Sequence, residues 1–267
     1  MTILTKKGNG HEKPPFTNEQ YRQAFSELTL TDKQKALLSA HYLMPERTAT
    51  AKTLAKAIGW TAYQPANAQY GGLASSLIDI IGEAWPKNPK HRVNMYALAR
   101  IWHDHEWHWQ MWPEVADTLE YFGLVERQEP WVLSDQAGPT DREAVIKQRV
   151  AQGRFRLLLL QFWCSACSVT GSGDASMLIA SHIKPWRACE DGERVDPFNG
   201  LLLTPNLDRA FDKGYISFAD DGRVLIQSGR EDSLRDFSIH AGIRLRKVDD
   251  RHRRYLAEHR RIHGYDE

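Results

Sequence analysis

Three short stretches of this chain carry side chains that could do chemistry together: ASHIKPW around His182, DPFNG around Asn199, and PNLDRAFDKG with Asp208 and Asp212. A lone histidine between Ser181 and Ile183 reads equally as a base or as a buried structural residue. The two aspartates are four residues apart in a segment that opens with Pro205 and closes with Gly214, so on a helix both carboxylates leave from one face. Oxygen ligands of this kind suit one hard divalent ion, magnesium or manganese, better than zinc. A histidine beside such an ion supplies the parts that phosphodiester hydrolysis needs. It can take a proton from water, while positive charge meets the phosphate and the leaving oxygen.

The elements that must position these groups follow from the local pattern. MLIASHI and NGLLLT read as strands, PNLDRAFDKG as the helix after them, and Asp221-Gly222 as the turn of a later hairpin. Upstream, Asp141 is expected to cap a long helix, REAVIKQRVAQGRFRLLLLQFW. The tail DDRHRRYLAEHRRIHGYDE is expected to form a basic surface helix. Its Arg251, Arg253, Arg254 and Arg260 either line a phosphate backbone or form an ordinary solvated face.

The first half has a different organisation. Helices are expected over 18–25, from Thr31-Asp32 to the stop at Pro45, from a Thr50 cap to Gly59, and from Asn67 to Ile81. YALARIW and WHWQMW read as two strands around HDHE, and the last three helices followed by a hairpin give the order of a winged helix. PEVADTLEYFGLV is a further helix, with Pro at its start and Gly past its end. Alternation in the hairpin sends His103 and His105 to one face and His108 to the other, which argues against a metal site in HDHEWH. Its tryptophans either cover a core or form an aromatic pocket for a flipped base. The chain thus divides into a flexible arm (1–16), a winged-helix-like domain (17–125), a Pro/Gly/Asp-rich linker (126–140) and a C-terminal domain (141–267).

Composition bounds the class without naming it. The 267 residues fit two modest domains, and 42% hydrophobic with 26% charged residues is ordinary for a globular protein. The net charge of +1 gives no global sign of a polyanionic partner, so local charge has to carry that argument. Three cysteines, Cys164, Cys167 and Cys189, make no disulfide framework and point to a reducing, cytoplasmic setting. The polar N-terminus lacks the apolar core of a signal peptide, and LLLLQFW is too short to span a bilayer, so no membrane association is expected.

ASHIKPW followed by DPFNGLLLTPNLDRAFDKGYISF resembles the HNH nucleases of the ββα-metal fold, over roughly residues 145–265, in a subgroup that begins with CSVTG, Cys167 to Gly171. The first half more weakly resembles a domain attached to bacterial HNH proteins of the restriction and defence kind. The resemblance implies an α+β protein with a C-terminal HNH nuclease domain acting on double-stranded DNA. It implies His182 as general base, Asn199 as a brace of the loop, Asp208 as metal ligand and Asp212 as a second helical ligand, with one magnesium or manganese ion per site. Ser181 departs from the pattern, because the family has an Asp or His ligand there. The positions that would complete a zinc site begun by Cys164 and Cys167 are Thr204 and Leu207, so no structural zinc is expected. The implied activity is a hydrolase, an endonuclease restricting foreign or modified DNA, with room for a homodimer that cuts both strands. The alternative is a DNA-binding regulator whose HNH site has degenerated at Ser181.

Overall fold

The computed structural model describes residues 13–82, 94–130, 132 and 138–265, and the chain falls into two compact units, Met1–Arg154 and Phe155–Glu267. Helix and small sheets mix in both, an α+β architecture. Residues 1–12 of the expected arm and part of the expected linker lie outside the described residues.

In the first unit, α1 (Asn18–Glu27) and α2 (Asp32–Tyr42) each open with a capping box, Thr17 with Gln20 and Thr31 with Gln34, which satisfies donors that a helix start leaves unpaired. Phe16 is buried edge-on to Tyr21 just ahead of α1. The chain then forms β1 (Thr48–Thr50), a strand the alternation rule misses at three residues. Thr50 caps α3 (Ala51–Ala57), which stops before Gly59 at φ 82°. Helix α4 (Gln64–Ile81) begins three residues before the expected Asn67, with Pro65 in its first turn. Gly71 and Gly72 do not break it, and open space surrounds both. Strands β2 (Ala99–His103) and β3 (Trp107–Met111) form the expected hairpin, and β1 joins its β3 side in the order β1-β3-β2. Helix α5 (Pro113–Tyr121) follows. Leu38, Leu54, Tyr70, Leu73, Trp109 and Leu119 form the centre of this core. A buried, neutral His41 sits within it, bonded through Nδ1 to Tyr70 Oη (2.6 Å) and through Nε2 to the Trp109 carbonyl (3.0 Å).

Helix α6 (Pro139–Phe162) runs across the division. It starts two residues before the expected Asp141 cap, and the Arg142 N–H donates to the Gly138 carbonyl. Its last two turns carry Phe155, Leu159 and Trp163 into the second core. Arg156 is buried there and donates to the carbonyls of Leu178 and Ala175, each at 2.7 Å, tying the helix to the start of the next strand. The antiparallel pair β4 (Ile179–His182) and β5 (Gly200–Leu203) leads into α7 (Pro205–Asp212). The hairpin β6 (Ile216–Phe218) and β7 (Val224–Ile226) turns at Gly222, φ 85°. A short α8 (Glu231–Arg235) and a longer α9 (Asp250–His263) close the unit. The expectation of a basic surface helix for α9 holds for one side only. His252, Tyr255, Leu256 and His259 recur at helical spacing and are all buried.

Candidate active site

The register of β4 and β5 sets His182 opposite Gly200, so both face the same side of the hairpin. That side meets α6. The Phe155 ring stacks on the His182 imidazole with centroids 3.7 Å apart and planes 15° from parallel, and Trp186 meets its edge at 5.3 Å. Gly200 permits this packing. A Cβ there would fall on Phe155 Cζ and lie 2.9 Å from both Phe155 Cε2 and Leu159 Cδ2.

His182 is oriented by one hydrogen bond. Its Nε2 lies 3.0 Å from the Arg194 carbonyl oxygen, which can only accept. Nε2 therefore carries the proton in the neutral ring, and Nδ1 keeps a lone pair. Burial pushes the His182 pKa below its ordinary value, and the Arg194 carbonyl opposes that only in part. The ring is thus held neutral, as a base must be.

The loop that presents the Arg194 carbonyl is braced from within. Fully buried Asn199 accepts the Lys184 N–H at 2.8 Å, and donates to the Glu193 carbonyl at 3.1 Å and to Cys189 Sγ at 3.2 Å. Its own carbonyl accepts the Ile183 N–H at 2.9 Å, extending the ladder past His182. Lys184 Nζ and Glu193 Oε2 pair at 2.7 Å, and the same oxygen takes the Glu190 N–H. Arg194 adds an ion pair with Asp191 at 3.0 Å and lies over the Trp186 ring. Asn199 is therefore a brace that acts through Arg194, more than a residue that fills a turn.

Asp208 stands half-buried in the first turn of α7, beside the core residue Leu207, and α7 packs on both β4 and β5. Asp212 is exposed in the last turn, and its charge acts on His263 of α9. Ser181 is buried on the strand face opposite His182, paired across the hairpin with Leu201. Among the described residues no group of three or more His, Cys, Asp or Glu side chains converges as a ready metal cage. One or two carboxylates are nonetheless a donor set that magnesium accepts, because it retains several waters and takes phosphate oxygens as further ligands. On α7 the carboxylates that such a hydrated cation would use are Asp208 and Asp212.

The four arginines of α9 separate. Arg251 pairs with Asp249 at 2.8 Å and stacks 3.5 Å over Phe198, and Arg254 pairs with Asp196 at 3.2 Å; both lie against the loop that ends at Asn199. Arg253 pairs with Asp250 at 3.3 Å. Arg260, with only 18% of its side chain exposed, donates to the Phe218 carbonyl and to Asp220 at the β6–β7 hairpin. Phe155, Arg156 and the Arg194 carbonyl escaped the reading of the sequence. The i, i+4 spacing of Phe155 and Leu159 marks a buried helix face, whereas no side-chain pattern announces a backbone acceptor.

No curated protein matches the chain. Residues 167–219 match a family model described as HNH endonuclease (HNH_2), a span that begins at Cys167 and includes β4, β5, α7 and β6. With a histidine on the first strand, an asparagine before the second and an aspartate in the following helix, this part of the chain is similar to the HNH endonuclease family.

Proposed function

We propose that the chain is a metal-dependent DNA endonuclease with His182 as general base. The observation that carries this reading is the His182–Arg194 hydrogen bond, which fixes Nε2 as a donor and leaves Nδ1 to accept a proton. Phe155 and Trp186 confine the ring, so the lone pair keeps one direction. Nδ1 takes the proton of a water opposite the leaving 3′ oxygen, and that water attacks phosphorus. The products carry 5′-phosphate and 3′-hydroxyl ends. A magnesium or manganese ion held by Asp208, with Asp212 as second helical carboxylate, would neutralise the phosphate and the departing oxygen. Asn199 positions the base through the Glu193–Arg194 backbone and touches no substrate.

In this reading the first unit locates double-stranded DNA. Its support is the order α2, β1, α3, α4, β2, β3 with the sheet order β1-β3-β2, a winged-helix-like arrangement. Arg251 and Arg254 extend the contact to phosphates beside the site. The biological role is restriction of foreign DNA, whether modified or not, in the cytoplasm, with a homodimer supplying two cuts; it rests on family analogy. Among the described residues, no helix is long and apolar enough to cross a membrane. One feature favours a second reading, a DNA-binding regulator with a degenerate site: buried Ser181 stands where a charged ligand is expected. Plasmid nicking with magnesium or manganese separates the two. Cleavage that His182→Ala abolishes supports the nuclease, and DNA binding without cleavage under either ion supports the regulator.

A further inference from the structure

The tryptophan-rich hairpin of the first unit plays no part in the chemistry above. Its pairing puts Ile101 opposite Trp109 and His103 opposite Trp107, so these share one face, while Trp102 and His108 stack on the other at 5.3 Å. The first face walls a cavity of about 500 Å³ together with the start of α3 and the first turns of α4. That volume lies in the usual range for small-molecule sites.

The lining is that of a reader of flat, polar-edged rings. Trp107 and Tyr63 both line it while 50% and 40% exposed, so their ring surfaces face a space that nothing described fills. Trp109, 1% exposed, lines it too, and its indole N–H has no hydrogen-bond partner among the described residues. Stacking on Tyr70 at 5.2 Å holds that indole in place. The rim adds the Asn67 carboxamide, which both donates and accepts, and the Glu106 carboxylate with Lys52 4.0 Å away. Glu106 suits a ring that bears an exocyclic amine.

We propose that this cavity binds a nucleobase extruded from duplex DNA. Trp107 and Tyr63 give it stacking surface, Asn67 and Glu106 meet its polar edge, and the buried Trp109 ring forms part of the wall. The proposal deepens the reading of the chain as a protein that acts on DNA and rests on it for the source of the base. A free nucleobase would offer the same chemistry.

The test uses the full chain carrying His182→Ala, so that nothing is cut. Affinity is measured by fluorescence anisotropy for a fully paired duplex and for the same duplex with one central mismatch, whose loosened base costs less to extrude. The mismatched duplex should bind about tenfold tighter, because it spares part of the unpairing cost. Trp107→Ala and Asn67→Ala, both at exposed positions, should each erase that preference and leave binding to the paired duplex intact. Deoxycytidine or deoxyadenosine at millimolar concentration should erase it too. The absence of any preference, or a preference that survives both substitutions, overturns the proposal. Nucleoside binding that Trp107→Ala abolishes, with no duplex preference, overturns the extruded base and assigns the cavity to a free one. Nicking by the unmodified chain is scored separately: cleavage without the preference removes the pocket alone, and the preference without cleavage removes the nuclease alone.

Discussion

Gly200→Ala probes the packing behind the base without touching any polar group. Gly200 has φ −154° and ψ 152°, extended backbone that alanine adopts freely, so the whole effect is steric. The added Cβ would collide with Phe155 Cζ and lie 2.9 Å from Phe155 Cε2 and Leu159 Cδ2. Carbon atoms rest at about 3.5–4.0 Å, so the ring must retreat by roughly 1 Å. Phe155 is 1% exposed and Leu159 fully buried, which leaves nowhere to retreat. Overpacking of this kind costs about 1–3 kcal/mol. For a unit of this size that lowers the melting temperature by roughly 4–12 °C, readable by calorimetry. The ring that moves is the one stacked on His182 at 3.7 Å, so the imidazole is displaced from the Arg194 carbonyl as well. A misplacement near 1 Å commonly costs about 100-fold in rate, and plasmid nicking should fall by about 10–100-fold. A Gly200→Ala protein that melts and nicks like the unmodified chain would refute the packing argument.

Asn199→Ala should destabilise the second unit by about 2–4 kcal/mol, because the Lys184 N–H and the Glu193 carbonyl lose their buried partner. Chemical denaturation measures this, and nicking should fall with it. Asp208→Asn should raise the magnesium concentration needed for half-maximal nicking by at least tenfold, and Asp212→Asn, at the exposed end of α7, by less. Equal, small effects would remove the cation from this helix. In the first unit, burial lowers the His41 pKa from 6.5 to about 4. Between those values the unfolded chain binds the proton and the folded one does not, so stability present above pH 6.5 is lost as pH falls through this window. The full loss is about 3 kcal/mol. Urea titrations at pH 7 and 4.5 should show that slope, and His41→Gln should flatten it.

The candidate site of the second unit was legible because its residues are side-chain types at fixed spacing. His182 and Asp208 could be ordered on strand and helix from alternation and a proline start, whereas Asn199, expected to open the second strand, ends the turn just before it. The contacts that position His182 were harder to see. Phe155 is one apolar residue in an apolar run, and the Arg194 carbonyl belongs to the backbone and has no residue code. Helix α9 was read by its charges, whereas its buried side is set by His252, Tyr255, Leu256 and His259; His252 packs against the rings of Phe162, Trp163 and Phe198, and His259 bonds to Ser217, partners elsewhere in the fold. Strand β1 was invisible at three residues, since its pairing with β3 is a tertiary fact. The tryptophan cluster suggested core and pocket alike, and the hairpin does both: Trp109 is buried while Trp107 stays half open.

The central claim is that His182 Nδ1 takes the proton from the attacking water. The most direct measurement is the rate of supercoiled plasmid nicking with magnesium, and then manganese, by the unmodified chain and by His182→Ala, with circular dichroism confirming the fold of each. Cleavage by the first and a loss of at least about 100-fold in the second are expected. His182→Ala protein that nicks at the unmodified rate would contradict it.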